Sequence, residues 1–442
     1  MIGLVSDSIN TLRGNTSVPG DKSISHRALM IGGISVGTTE ICELLLSDDI
    51  LRTAKALEAM GVNIDRQSNR IWRVNGVGVG GLHEPDNILD MGNSGTGARL
   101  LMGLIATHPI KVHLTGDDSL RKRPMGRVAA PLTQMGSKVI ARDGDKMPLT
   151  VIGSRMALPI EYSLPVPSAQ IKSAVLLAGL NVPGETSVIE TRPSRDHTEL
   201  MLQYFGANIN VTEESMDRRI IRLVGQPELE GRKITIPGDP SSAAFLIVAA
   251  LITPNSEITI SGICVNPLRI GLINTLMEMG ARIEIKNSHF EAGEPVADIV
   301  VSSSKLKGID IPAERAPSMI DEYPILAIAA ATATGKTKMR GLEELRVKES
   351  DRFSAIVEGL GACGISVKVD GNDLTVTGAP GLIRGGTTIK SLMDHRIAMS
   401  FLILGLASIN PIAIDDSSHI STSFPNFVRL INELGAKIRK TG

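Results

Sequence analysis

The chain has 442 residues, 46 Lys and Arg against 47 Asp and Glu, and a formal net charge of -1. That balance argues against a basic nucleic-acid coat and an acidic tail, and aromatics at 2% leave few rings for stacking single-stranded bases. Cys42, Cys264 and Cys363 are odd in number and lack metal-ligand spacing, so neither a disulfide framework nor a zinc site is expected.

Read in chain order, one phrase comes round six times: a loop of small polar residues entering a nearly all-apolar helix. The segments are GDKSISHRALMIGGI (20–34), GNSGTGARLLMGLIA (92–106), VPSAQIKSAVLLAGL (166–180), GDPSSAAFLIVAALI (238–252), APSMIDEYPILAIAA (316–330) and DHRIAMSFLILGLAS (394–408). Each has Ser, Asp or Asn near its start, which suits an N-cap. A helix apolar on nearly every face must be buried. Each is followed by a second phrase, in which an amphipathic helix ends at a glycine and a short apolar strand begins. These glycines are Gly61, Gly136, Gly206, Gly280, Gly361 and Gly435, and each is expected in the left-handed position that ends a helix. Six units follow, each with a buried helix, a surface helix and short strands.

The halves repeat as well. Val18-Pro19-Gly20-Asp21-Lys22-Ser23 is matched 218 positions later by Ile236-Pro237-Gly238-Asp239-Pro240-Ser241. Residues 19–238 are therefore expected to form one domain of three units. Residues 1–18 with 239–442 would form the other, and two crossing strands would make a hinge. The longest apolar run, Ala243 to Ile252, spans ten residues and is too short for a bilayer. The segment MIGLVSDSINTLRGN lacks the apolar stretch of a secretory signal. The expected setting is soluble and cytoplasmic, with no membrane or nucleic-acid partner.

Helix N-termini present unpaired N–H groups and a partial positive charge, which favours anions. Cations stand at or near these starts: Lys22, Arg27, Arg99, Lys172, His395 and Arg396. More lie in loops, namely Arg121, Lys122 and Arg123 in SLRKRPMGR, Arg195 in RPSRDH, and Lys348 and Arg352 in LRVKESDR. With a net charge of -1 this is a local concentration, and it points to a small polyanion carrying phosphate or carboxylate. Gly76 to Gly81 formally matches G-x-G-x-x-G but precedes LHEPDNILD and no apolar helix, so it reads as a strand turn. No phosphate-loop, nucleophile-elbow or zinc-protease motif is present in the sequence.

The segments PGDKSISHRALM, GNSGTGARLL, KRPMGR, PSAQIKSAVLLAGL, DEYPILAIAAA, LRVKESDR and DHRIAMSF, in this order across nearly the whole chain, resemble the 5-enolpyruvylshikimate-3-phosphate synthases. GDPSSAAF and RAPSMIDEYPILA look most like the second bacterial class of that family, which includes glyphosate-tolerant members. The resemblance implies an α/β fold of two similar domains, each of three βαβαββ repeats with buried helices (an inside-out α/β barrel), and an active site in the cleft between them. It implies a cytoplasmic monomer of the shikimate pathway, without cofactor or metal, that uses shikimate 3-phosphate and phosphoenolpyruvate and is inhibited by glyphosate.

By the same resemblance, Lys22, Ser23, Arg27, Ser168, Ala169, Gln170, Arg195, Asp321 and Lys348 would bind shikimate 3-phosphate. Lys22, Gly95, Thr96, Arg123, Gln170, Arg352 and Arg396 would bind phosphoenolpyruvate. Asp321 would take the proton of the 5-hydroxyl, Glu349 would serve the methylene carbon, and Lys22 would assist. Two positions depart from better-known relatives. Thr422 stands where a Lys precedes Thr-Phe-Pro in the other branch, and Gly95 stands where a tolerant member has Ala. The rivals are the sister UDP-N-acetylglucosamine enolpyruvyl transferases and a non-catalytic phosphometabolite sensor.

Overall fold

A computed structural model describes residues 2–215 and 218–441, with Ser215 described by its backbone alone. Two compact units emerge. One comprises residues 1–19, 237–289 and 295–442, and the other comprises 20–236 with 290–294. The hairpin tip Phe290–Glu294, for which the repeat pattern gives no reason, thus belongs with residues 20–236.

In the 20–236 unit the buried helices are α1 (Lys22–Gly33), α3 (Gly95–Ala106) and α5 (Ala169–Gly179). The outer helices are α2 (Asp48–Ala59), α4 (Gly126–Gln134) and α6 (His197–Tyr204). The other unit has α7 (Pro240–Ile252), α10 (Tyr323–Thr332) and α12 (His395–Gly405) inside. Around them lie α8 (Gly271–Glu278), α11 (Arg352–Ala362), α13 (Phe427–Glu433) and the single turn α9 (Ala316–Met319). Five of the six inner helices are capped by a side chain, from Asp21, Ser94, Ser168, Asp239 and Asp394. The sixth, α10, has Pro324 in its first turn, where a missing N–H costs nothing. The inner helices pack closely. A Cβ on Gly103 of α3 would sit 2.3 Å from the carbonyl oxygen of Ala174 in α5.

Six four-stranded sheets enclose these helices, all with one strand order. In the second repeat, Leu89–Asp90 runs parallel to Lys111–Thr115, which pairs antiparallel with Lys146–Ile152, itself paired with Lys138–Arg142. Two repeats take their first strand from a distant part of the chain. Lys233–Thr235 pairs parallel with Thr38–Cys42, and Arg13–Thr16 pairs parallel with Glu257–Cys264. Leu4–Ser6 completes the sixth sheet between Asn410–Ile414 and Ile438–Lys440. The chain therefore crosses between units just where the Val-Pro-Gly-Asp and Ile-Pro-Gly-Asp phrases repeat.

Five of the six expected glycines end their helices in the left-handed region, from Gly280 at φ 92° to Gly435 at φ 114°. The fifth repeat differs. Gly361 lies inside α11, and Gly364, at φ 82°, takes the turn. The helix runs on because Cys363 still bonds back to the carbonyls of Gly359 and Leu360. Gly76–Gly81 follows the strand Ile71–Asn75 as a turn, with no helix after it. Cys264 and Cys363 are buried and all three thiols are unpaired with one another.

Candidate active site

In the 20–236 unit the predicted residues cluster at the starts of α1, α3 and α5. Lys22, in the first turn of α1, forms an ion pair with Asp49 of α2. Its neighbour Asp21 is spent on capping, its carboxylate accepting the Ile24 amide at 2.8 Å. Arg27, one turn further in, is only 2% exposed. It donates to the Ser23 carbonyl at 2.9 Å, to Thr198 Oγ1 at 2.7 Å and to Ser173 Oγ at 2.7 Å. Burial lowers its pKa to about 10, with the carboxylate of Glu199 the main opposing influence. His26 is fully buried and lies 2.8 Å from Thr53 Oγ1. Burial first, then Lys22 and Arg27, hold its pKa well below the usual imidazole range, so it is neutral.

Gln170, at the start of α5, bridges two neighbours. Its amide donates to Thr96 Oγ1 at 3.0 Å and its carbonyl accepts from Arg99 at 3.1 Å. Arg99 also donates to the Pro124 carbonyl at 3.0 Å, beside Arg123. The Arg123 guanidinium lies against Gly95: a Cβ there would meet its Nη1 at 2.6 Å and its Cζ at 2.8 Å. Ser168 caps α5 through the Ile171 amide, with Ala169 as its first helical residue. Gly95, Thr96, Arg99, Arg123 and Gln170 are thus one connected group. Arg195 sits half-buried on the loop before α6, close enough to Arg27 to depress its pKa.

Lys172 corrects an expectation. The sequence groups it with the cations offered to an anion, yet it is 0% exposed and committed inside the protein. Its ammonium pairs with Glu190 at 3.0 Å and Glu199 at 2.7 Å, and donates to the Ser194 carbonyl at 3.2 Å. Its surroundings are those of an internal tie.

In the other unit the organising group is the guanidinium of Arg352, 1% exposed at the start of α11. Nε donates to Asp394 at 2.8 Å, Nη1 to Asp321 at 3.2 Å, and Nη2 pairs with Glu349 at 2.6 Å. Burial opposes the charge, but Asp394, Glu349 and Asp321 outweigh it and hold the guanidinium charged. Lys348 lies 3.6 Å from the same Asp321 oxygen. Arg396, in α12, donates to the Asp321 carbonyl at 3.1 Å and faces Glu322 at 3.4 Å. Asp321, Lys348, Glu349, Arg352 and Arg396 therefore meet in one cluster.

Sequence reasoning does not assign Asp394. It accepts from Arg352, from Ser350 Oγ at 3.0 Å and from the Arg396 amide at 2.9 Å, and so holds the Arg352 guanidinium and the Arg396 backbone. Arg352 holds its carboxyl below the usual range despite burial. Its signal was present: an acid opening the basic run Asp-His-Arg before a buried helix. Thr422 lies in the turn Ser418–Thr422, its hydroxyl donating to the His419 carbonyl at 2.7 Å. Among the described residues, no group of three or more His, Cys, Asp or Glu could hold a metal ion, and no helix is long and apolar enough to cross a membrane.

Six βαβαββ repeats wrapped around buried helices, with arginines and carboxylates paired at the helix starts, define an inside-out α/β protein built to handle small anions. A family model described as EPSP synthase (3-phosphoshikimate 1-carboxyvinyltransferase) matches residues 6–431, and the chain belongs to that family. It is 58% identical over 427 residues to a 3-phosphoshikimate 1-carboxyvinyltransferase of Paramagnetospirillum magneticum, covering 97% of this chain and 96% of the relative. To the namesake in Rhodospirillum rubrum it is 57% identical over 431 residues, covering 97% and 96%. Its fold matches the solved EPSP synthase of Acinetobacter baumannii with a TM-score of 0.89 at 42% identity, over 100% of both chains. The enolpyruvyl transferase NikO of Streptomyces tendae shares the fold, with a TM-score of 0.77 at 17% identity over 100% of this chain and 98% of NikO.

Proposed function

We infer that the protein transfers the enolpyruvyl group of phosphoenolpyruvate to the 5-hydroxyl of shikimate 3-phosphate, as a 3-phosphoshikimate 1-carboxyvinyltransferase. The products are 5-enolpyruvylshikimate 3-phosphate and phosphate. Family membership supports the reaction. The observation that carries the assignment of roles is the Arg352 guanidinium held between Asp321 at 3.2 Å and Glu349 at 2.6 Å. Addition followed by elimination needs an acid and a base beside cations that stabilise anionic oxygens.

The 5-hydroxyl oxygen attacks C2 of phosphoenolpyruvate, its proton passing to Asp321, while C3 gains a proton from the side of Glu349. The tetrahedral intermediate then loses phosphate as the C2–O bond breaks and C3 returns a proton. Lys22 assists these transfers. Arg123, Arg352 and Arg396 clamp carboxylate and phosphate, where the planar fork of Arg suits both. Gly95 and Thr96 lie along phosphoenolpyruvate, Gln170 reaches both substrates, and Lys22 does likewise. Ser23, Arg27, Ser168, Ala169, Arg195 and Lys348 hold shikimate 3-phosphate. The enzyme works as a cytoplasmic monomer and glyphosate competes for the phosphoenolpyruvate subsite.

The test is phosphate release from purified protein with both substrates, omitting each in turn. Release only with both is expected, and no release from folded protein would refute the reading. Asp321→Asn should bind both substrates and lose turnover by orders of magnitude. Retained turnover would remove Asp321 from the mechanism.

A further inference from the structure

Lys172 is the one charged residue of the buried helix α5. The partners of its ammonium belong to one stretch of chain. Glu190 ends the strand Glu185–Glu190, Ser194 lies in the following loop, and Glu199 opens α6. Ser194 Oγ also donates to Glu190, closing the loop on itself. Next to this tie is a second one. Thr198 accepts from Arg27 and donates to Ser173 Oγ at 2.7 Å. Glu190, Ser194, Thr198 and Glu199 are all buried, at 1%, 4%, 0% and 4% exposure. Arg195 is the half-buried cation carried between these anchors, immediately after Ser194.

A buried lysine with two carboxylates is a poor way to gain stability. Desolvation consumes much of the attraction, and a well-packed apolar trio would serve the fold as well. What the charges supply is direction. Lys172 lies two residues beyond Gln170, on the helix whose first turn carries Ser168, Ala169 and Gln170. It therefore sets the 190–199 loop in register with that turn.

We propose that Lys172 is a positioning residue for shikimate 3-phosphate, acting through the Ser194 carbonyl to aim Arg195, with Glu190 bonded to both Lys172 and Ser194. This rests on the assignment of Arg195 to the phosphate of that substrate.

The experiment is a double-mutant cycle with Michaelis constants for each substrate, using Lys172→Met, Arg195→Ala and the double variant. Lys172→Met should raise the KM for shikimate 3-phosphate about tenfold, with kcat and the KM for phosphoenolpyruvate held within about twofold. Arg195→Ala should raise the same constant about as much, and the double variant should be no worse than Arg195→Ala alone. Multiplying effects in the double variant would overturn the proposal, as would an unchanged KM in folded Lys172→Met. If Arg195→Ala itself leaves the constant unchanged, the assignment of Arg195 falls, which the cycle shows separately. Should Lys172→Met fail to fold, Glu190→Gln enters the same cycle with the same expected pattern and the same refutations.

Discussion

Asp394→Asn isolates one charge in the Arg352 cluster while leaving the side-chain shape almost unchanged. The carboxylate is 0% exposed and takes four hydrogen bonds: from Arg352 Nε at 2.8 Å and Nη2 at 3.3 Å, from Ser350 Oγ, and from the Arg396 amide. Asn caps helices as well as Asp does. It will keep its oxygen toward the Arg396 amide, which cannot turn, and so place its NH2 against Arg352 Nε. The buried guanidinium then loses its best partner and keeps Asp321 and Glu349. Breaking a buried pair costs about 3–5 kcal/mol, and two remaining carboxylates argue for the lower end. At about 2–4 °C per kcal/mol for a domain of this size, the melting temperature should fall by about 6–12 °C at pH 7. The pH dependence follows from the depressed pKa of Asp394. Its stabilisation is fully present above the unfolded carboxyl pKa of about 3.9 and is lost as pH falls through the lower folded value. The gap between wild type and variant in calorimetry should therefore be flat from about pH 5.5 to 8 and close below about pH 4. The KM for phosphoenolpyruvate should rise about tenfold, since the Arg352 guanidinium loses the group that orients it. A fall of less than about 2 °C, or a gap that widens on acidification, would refute the reasoning.

Gly95→Ala places a methyl 2.6 Å from Arg123 Nη1, so the guanidinium must swing aside by several tenths of an ångström. We expect a several-fold rise in the phosphoenolpyruvate KM, a larger rise in the glyphosate inhibition constant and little change in melting temperature, all readable by steady-state assay and scanning fluorimetry. Gly103→Ala gains about 1 kcal/mol of helix propensity. Its methyl would however meet backbone atoms of Ala174 at 2.3 and 2.6 Å, and backbone cannot yield as a side-chain tip can. Overpacking at about 1–3 kcal/mol or more should win, so calorimetry should show a lower melting temperature, and an unchanged one would show that the helices part freely. His26, neutral in the folded state because its pKa is lowered, adds stability that is present above the unfolded imidazole pKa of about 6.5. That stability is lost as pH falls toward the folded value, at up to about 1.4 kcal/mol per pH unit. Urea unfolding from pH 7 to 5 should show this slope, and His26→Gln should flatten it.

Periodicity made the helices legible. Apolar runs after a Ser or Asp cap give α1, α3, α5, α7 and α12 at their observed starts, because burial and capping are both local signals. The strand exchange was partly legible, since Pro-Gly-Asp occurs at both crossings. That Arg13–Thr16 pairs beside Glu257–Cys264 depends on contacts between residues 244 apart, and no local pattern encodes it. Gly361 misled because two glycines, Gly361 and Gly364, compete to end one helix, and the hydrogen bonds of Cys363 decide between them.

The charges show a different limit. Sequence places a cation near a helix start but does not say what neutralises it, and that partner decides what the cation can do. Lys172 and Arg352 look alike in sequence, each a basic residue at the mouth of a helix, and both end up with no more than 1% exposure. Lys172 meets Glu190 and Glu199, buried at 1% and 4%, so its charge is consumed inside the protein. Arg352 meets one buried carboxylate, Asp394, and two whose side chains keep 17% and 20% exposure, Asp321 and Glu349. A partly exposed carboxylate can exchange its partner or its proton with a ligand, and a fully buried one cannot without a large desolvation cost. The difference between an internal tie and a cluster open to a ligand therefore lies in the exposure of the counter-charge, a property of the third dimension that residue type and spacing do not carry.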